Sequence, residues 1–395
     1  MAYKRLGPFI RPVNSRNTDS SDFPLLGVSI QKILLPSIAN TVGTDMSTYK
    51  IINKRQFAYG PVTSRNGDKI SVALLSQHET GLVSQAYTVF EIINHDELVP
   101  EYLMMWFMRP EFDRYARFKS HGSARETFDW DEMYNIELPI PSIEKQREVV
   151  AEYRTIVDRI KLNEQISQNL SAMATTIFKS WFIDFEPFGG TMPKDWEVGA
   201  LKDLVENTIG GDWGKDETFT NSKKILCIRG ADIPNVKNGV YSSVPKRFVK
   251  ANITDDKILK HGNIVIELSG GSPTQQTGRS AIILNASDTL PITCSNFCRA
   301  LQIRKDYELF VAMYLDYMYQ NNVMFIHENS TIGVKNLDLD GLLGQEQIVI
   351  PMGDVMNKFN AIIKTLREYL DIQYKIAEEL TGLKDLLLSK MATDK

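Results

Sequence analysis

The residues that could act chemically are two glycine loops, a scatter of histidines and three cysteines. Gly210-Gly211-Asp212-Trp213-Gly214-Lys215 and the loop from Ser269 to Arg279 look like phosphate cradles. Neither has the P-loop spacing that lets backbone amides and a lysine surround a triphosphate. Neither follows the GxGxxG pattern of a dinucleotide site. His327-Glu328 has no second histidine one turn on, and the Asn-Pro-Pro-aromatic type of motif that would hold an adenine amine for methyl transfer is missing. His78, His95, His121, His261 and His327 are isolated and read as surface or core residues rather than bases. Cys227, Cys294 and Cys298 are an odd number in a large chain, which fits reduced thiols. No histidine neighbours Cys294 and Cys298 to complete a metal site. The expectation is a chain that is not an enzyme and binds neither metal nor cofactor itself.

Charge points elsewhere. The net charge of -4 argues against a freestanding nucleic-acid binder, because non-specific affinity for a duplex comes from neutralising phosphates. Its distribution is uneven. Lys50, Lys54, Arg55, Arg65 and Lys69 face Asp68 alone over residues 50–70, and Arg109, Arg114, Arg117, Lys119 and Arg125 crowd residues 109–125. Lys223, Lys224, Arg229, Lys237, Lys246, Arg247, Lys250, Lys257 and Lys260 follow in the second half, whereas Glu368, Asp371, Glu378, Glu379 and Asp385 sit in a helical stretch. Basic globular units joined by acidic coils suggest nucleic acid on the former and protein partners on the latter. A merely solvated surface also explains each patch singly.

The elements that position these residues come in duplicate. Leu138-Pro139-Ile140-Pro141 and Ile348-Val349-Ile350-Pro351, 210 residues apart, each run into a heptad-patterned helix. A repeat of this length means two copies of a domain plus a helix, not a solenoid. Val355, Phe359, Ile362, Leu366, Tyr369, Gln373, Ile376, Leu380, Leu383 and Leu387 step by alternating four and three, a coiled-coil seam. The same offset places Lys145, Val149, Glu152, Ile156, Arg159, Asn163, Ile166, Leu170, Met173 and Ile177 on the first seam. Asn163 and Gln373 fall on one seam position, where a polar side chain costs stability but fixes register. Upstream, SHGSAR (120–125) aligns with STIGVK (330–335), and the β-like run Ser84–Ile92 with Ser295–Ile303.

Composition allows two well-filled cores: the 395 residues are 43% hydrophobic and 24% charged. No apolar run approaches the roughly 18 residues that span a bilayer, and MAYKRLGPFI lacks the apolar core of a signal peptide, so a cytoplasmic protein with no membrane contact is expected. The fold class expected is α+β, with mixed globular domains at 1–141 and 186–345 and long helices at 142–185 and 346–395. Asn66-Gly67-Asp68 reads as a turn between strands, Ser142 as the N-cap of the first helix, and the aromatic segment 181–190 as docking that helix's end.

Duplicated mixed domains, each followed by a heptad helix, with IPIPSIEKQREVV after the first and KSWFIDFEPF leading to MPKDWEVGALKDLV, resemble the DNA specificity subunit of type I restriction-modification systems. The resemblance covers essentially the whole chain. The N-terminus departs from it, since YKRLGPFI lacks the Pro-x-x-Trp entry found at Pro193–Trp196. The resemblance implies two target-recognition domains, each reading half of a split asymmetric site in double-stranded DNA, and two helices paired as an antiparallel coiled coil in an internal pseudo-two-fold duplication. It further implies two adenine-N6 methyltransferase (M) subunits using S-adenosylmethionine and two restriction/translocase (R) subunits using ATP and Mg.

Within that frame the base readers expected are loop-borne donors and acceptors between basic flanks. They are Ser64, Arg65, Asn66, Lys69, His121, Ser123 and Arg125 in the first domain, and Ser272, Thr274, Gln275, Gln276, Arg279 and Lys335 in the second. Arg suits bidentate contact to guanine and Asn or Gln to adenine; others among them contact phosphate and only set register. A dyad at mid-helix brings Asn163 and Gln373 together. The reading from another class is a non-catalytic coiled-coil scaffold whose globular domains bind protein. A third is a nuclease or methyltransferase fused to recognition domains, which the missing motifs disfavour.

Overall fold

The computed structural model describes residues 3–38, 43–64, 66–67, 69–122, 125–252, 255–270, 275–284, 290–331 and 334–392. The chain forms two compact units, residues 1–161 with 379–395, and residues 162–378. Both divisions fall inside long helices, Ile143–Phe182 and Val355–Lys390. Each unit therefore holds one globular domain and part of each helix.

In the first unit, strands run β1 (Tyr3–Arg5), β2 (Ile10–Val13), β3 (Leu25–Val28), β4 (Leu34–Pro36), β5 (Lys50–Asn53), β6 (Phe57–Tyr59), β7 (Val72–Leu74), β8 (Thr80–Val83), β9 (Thr88–Ile92) and β10 (Glu137–Pro139). They pair as β2-β9-β6-β7, β4-β3-β8-β5 and β1-β10, with β3 and β8 parallel. Asn66 and Gly67 do lie between the antiparallel strands β6 and β7, and Gly67 takes φ 62°, a left-handed turn position that suits glycine. Phe57 stacks on Phe90 at 4.8 Å between the two central strands, anchoring the core.

In the second unit, strands run β11 (Glu197–Ala200), β12 (Val205–Gly210), β13 (Ser222–Ile228), β14 (Lys246–Lys250), β15 (Ile264–Glu267), β16 (Ser269–Gly270), β17 (Ser280–Ile282), β18 (Ile292–Cys294), β19 (Cys298–Ile303), β20 (Glu328–Thr331), β21 (Val334–Leu337) and β22 (Gln347–Ile350). The order β12-β19-β15-β17 matches β2-β9-β6-β7 strand for strand, and β14-β13-β18 matches β4-β3-β8, parallel pair included. The pair β11-β22 matches β1-β10. What differs is at the margins: β5 edges one sheet in the first unit, and β16-β21-β20 is added in the second.

The segment expected to be helical from 346 opens with β22 instead. Ile348 and Ile350 are buried while Val349 is less so, the period-two pattern of a strand. The helix starts only after Pro351 and Gly353.

The start of the first long helix shows why it begins where it does. The Ser142 hydroxyl accepts from Lys145 N at 3.4 Å and its carbonyl from Gln146 N at 3.0 Å, an N-cap as expected. Gln146, fully buried, satisfies every polar atom of its amide. Its Nε2 donates to the carbonyls of Glu97 and Pro141, and its Oε1 accepts from Val99 N at 2.8 Å. At the other end Phe185 adopts φ 53°, and the aromatics dock as expected. Phe182 packs 4.8 Å from both Phe310 and Phe359 and 5.7 Å from Trp196.

Within the second unit the helix segments run antiparallel, Phe178 beside Phe359 and Asn163 beside Gln373. Asn163 is 1% exposed and donates through Nδ2 to the Gln373 carbonyl at 3.4 Å, while its own Oδ1 and the Gln373 Oε1 are buried without partners. The two amides thus share the seam, but the contact seen is to backbone. The heptad phase needs correcting. Met356, Phe359, Ile363 and Leu366 are buried whereas Ile362 and Tyr369 are 37% and 56% exposed, and Ala174 is buried where Met173 is not. An α-helix turns in 3.6 residues rather than 3.5, so a straight seam drifts by about 20° per heptad, and here the domain core covers the drifted side.

Two stability outcomes are expected. Phe182→Ala lowers the unfolding free energy of the second unit by about 3–5 kcal/mol, the usual cost of an aromatic cavity; a urea titration showing less than about 1 kcal/mol contradicts its place in the core. Asn163→Leu removes a buried amide with an orphaned oxygen, and the thermal midpoint rises by about 2–4 °C if the gain is near 1 kcal/mol. A lower midpoint in calorimetry means that its bond to Gln373 outweighs the desolvation.

Candidate nucleic-acid interface

The two polar loops of the first domain are tied together by the backbone. Thr127 bridges to both Val62 and His121, Thr63 N donates to Glu126 O at 3.0 Å, and the Thr63 hydroxyl donates to Ser120 at 2.8 Å. Ser64, Lys69, His121 and Arg125 all have exposed side chains on these stapled loops. Asn66 is half-buried, its amide donating to Val62 O at 3.2 Å, so it shapes the turn as well as lining it. Arg65 and Ser123 lie outside the described residues.

Much of the basic charge counted along the sequence is internally neutralised. Arg109 is 6% exposed and stacks 4.3 Å from the Trp106 ring, while Arg114 pairs with Glu111, Arg117 with Glu126, and Lys119 with Glu132. Lys54 pairs with Glu79 and Arg55 with Glu101. His121 stands 3.5 Å from the same Glu132 carboxylate.

The second domain corrects the expectation more sharply. Gln275, Gln276, Arg279 and Lys335 do come together where the loop after β16 meets β20 and β21, but three of them are committed to the scaffold. Gln276 is 5% exposed, and its amide donates to the Tyr319 carbonyl and to Asn322 Oδ1. Arg279 grips Glu267 with two hydrogen bonds of 2.9 and 2.6 Å. That carboxylate is 2% exposed and raises the guanidinium pKa further. A Cβ at Gly230 or Gly270 would come within 2.3 or 2.5 Å of a Glu267 oxygen, so both positions are held to glycine by this carboxylate. Lys335 pairs with Glu328 at 3.1 Å, donates to Gln275 O at 3.4 Å, and lies 4.8 Å from the Phe325 ring centroid. Gln275 keeps an exposed side chain. Ser272 and Thr274 lie outside the described residues.

Sequence reasoning also counted the basic run 223–260 without sorting it by face. Lys246-Arg247-Phe248-Val249-Lys250 alternates exposed and buried residues along β14, with Lys246 and Lys250 exposed and Arg247 and Val249 buried. That period-two pattern was the available signal.

Among the described residues no cluster of three or more His, Cys, Asp or Glu could hold a metal ion, and His327, buried, bonds Glu346 at 2.7 Å. All three cysteines are buried and free; burial pushes Cys294 up to about 12 and Cys298 up to about 11, and raises Cys227 as well, which disfavours thiolate chemistry. No described helix is long and apolar enough to cross a membrane.

Comparison with known proteins gives a consistent answer. No family model matches the chain. It is similar to the MjaIX type I restriction enzyme specificity subunit of Methanocaldococcus jannaschii, 24% identical over 316 residues that cover 76% of this chain and 70% of the relative. It is also similar to the HindI specificity subunit of Haemophilus influenzae, 28% identical over 158 residues, 40% of this chain and 34% of that one. In fold it matches the crystal structure of a type I restriction-modification S subunit from M. genitalium with a TM-score of 0.60, at 13% identity and covering 100% of this chain and 96% of the other. Along much of its sequence the chain is similar to specificity subunits of type I restriction enzymes, and its fold is that of a solved type I restriction-modification S subunit.

Proposed function

We propose that this chain is the DNA-recognition subunit of a type I restriction-modification complex and carries no catalysis of its own. The observation that carries the reading is one strand order used twice beneath different loops. Two domains of the same architecture approach a duplex in the same way, while unlike polar side chains let each read a different half of a bipartite, asymmetric site. The pseudo-two-fold duplication lies within one chain.

Ser64, Asn66, Lys69, His121 and Arg125 are the contacts of the first domain, joined by Arg65 and Ser123. Gln275, Ser272 and Thr274 serve the second. Arg125 suits guanine and Gln275 adenine. The paired helix segments act as spacer: 40 residues of helix measure ~60 Å at ~1.5 Å per residue. Exposed Ile362, Tyr369 and Ile372 on the second long helix offer apolar surface to partner helices. Those partners are two adenine-N6 methyltransferase subunits, which bring S-adenosylmethionine, and two ATP- and Mg-dependent translocase subunits. A net charge of -4 suits a subunit whose partners complete the grip on DNA.

Two outcomes test this. The chain co-purifies with a methyltransferase, and sequencing of methylated adenines finds a two-part motif that vanishes when this chain is deleted; a chain that binds the methyltransferase but no duplex is a scaffold instead. At residue level, Arg125→Ala weakens binding to the methylated site by about 1–3 kcal/mol without changing the urea midpoint, since its side chain is exposed. Arg279→Ala leaves Glu267 buried and uncompensated and costs about 3–5 kcal/mol of stability. An Arg279→Ala protein as stable as the wild type, but with altered site choice, would restore Arg279 as a base reader.

A further inference from the structure

We infer that one face of the β13–β14 hairpin is a separate seat for the phosphodiester backbone of duplex DNA, binding without regard to sequence. The inference rests on the DNA-binding reading above but uses none of the loop residues assigned there.

Ion pairing sorts the basic run of the second domain. Arg229 is held by Asp232 at 2.8 Å, Lys237 by Asp316 at 2.7 Å, Lys257 by Asp212 at 3.8 Å, and Arg247 by Asp216. Strand register then gathers cations that have no such partner. Lys224 pairs across the hairpin with Phe248, Ser222 with Lys250, and Leu226 with Lys246, and an isolated bridge sets Lys215 against Phe248 from the other side. Directly paired residues share a face, and residues two apart on a strand return to it. Phe248 is therefore ringed by lysines: Lys215 and Lys224 to either side, Lys246 and Lys250 before and after it along β14.

All four lysines are exposed, and none forms an ion pair among the described residues. Lys224 Nζ lies 5.9 Å from the Phe248 ring centroid and Lys215 Nζ 5.0 Å from that of Phe219, so aromatic rings support the stems. No two of these lysines are directly opposite in the register, but four ammonium groups around one ring concentrate positive charge and repel one another across the face. Asp216, the acid beside Lys215 in sequence, is taken by Arg247, whose position on β14 puts it on the opposite face.

A partner dense in negative charge removes that repulsion, and duplex DNA carries one charge per ~1.7 Å of its axis. Lysine binds phosphate as a point charge. The paired strand positions of this face, Ser222, Lys224, Leu226, Lys246, Phe248 and Lys250, include no Arg, Asn or Gln that could bracket a base edge, so it adds affinity and register rather than sequence discrimination.

The test uses the full chain and a short duplex of arbitrary sequence, with affinity followed by fluorescence anisotropy from 50 to 200 mM salt. Each phosphate contact contributes about 0.9 to the slope of log affinity against log salt, so K224Q/K246Q/K250Q should flatten it by about 2.7. Preferences among duplexes of different sequence stay unchanged, and K224R/K246R/K250R keeps the wild-type slope. Single K246Q and K250Q variants, each flattening the slope by about 0.9, serve if the triple variant fails to fold by circular dichroism. A folded triple variant with the wild-type slope overturns the inference and leaves the recognition reading intact; an acidic protein as the occupant of this face gives that result. A wild-type chain that binds no duplex at all overturns both.

Discussion

The larger hydrophobic cluster of each unit is closed by helix turns that come from far away in sequence. Leu388 and Met391 lie inside the first domain's core among Leu98, Tyr102 and Leu138, and Phe359 from the second long helix meets Phe178 and Phe182 from the first over Phe310. Closing so long a loop costs only logarithmically more than closing a short one, whereas each buried aromatic contributes several times the thermal energy. The long helices are thus structural members of both domains, and Gln146, with its whole amide bonded to domain backbone, ties the start of the first helix to its domain.

That constraint separates what can vary from what cannot. Strand order, the helix caps and the aromatic cluster recur or lie buried, so substitutions there carry the cost of a cavity or an unpaired group. Loops that hang from this frame are less constrained, yet they are not free. In the second domain the frame itself captures three polar side chains: buried Glu267 holds Arg279, nearly buried Glu328 holds Lys335, and the Tyr319 carbonyl with Asn322 holds the Gln276 amide. The first domain's loops are stapled through backbone instead, which leaves Ser64, Lys69, His121 and Arg125 exposed.

Much of this was legible beforehand. The 210-residue echo located both long helices, Ser142 marked one cap, and the aromatic run around Phe182 announced a docking site, because periodicity and capping are local properties. The seam phase was misjudged by one residue at Ile362 and Met173, since which flank a helix buries depends on the domain lying against it. Arg279 looked like a base reader because its partner Glu267 sits on an adjacent strand, twelve positions away, where no local pattern reveals it. Lys335 and Gln276 likewise have partners that no local pattern reveals. The lysine ring around Phe248 went unseen because half of it depends on strand register, which sequence does not display.

One further consequence concerns biogenesis. A nascent chain emerging from the ribosome can complete residues 162–378 as one contiguous unit, but the first unit also needs residues 379–395. At a synthesis rate of 5–20 residues per second, the N-terminal domain waits about 10–40 s for its missing helix turns. During that interval the surface that Leu388 and Met391 will cover stays open to chaperones or to a neighbouring nascent chain. The domain made first is thus the one that matures last.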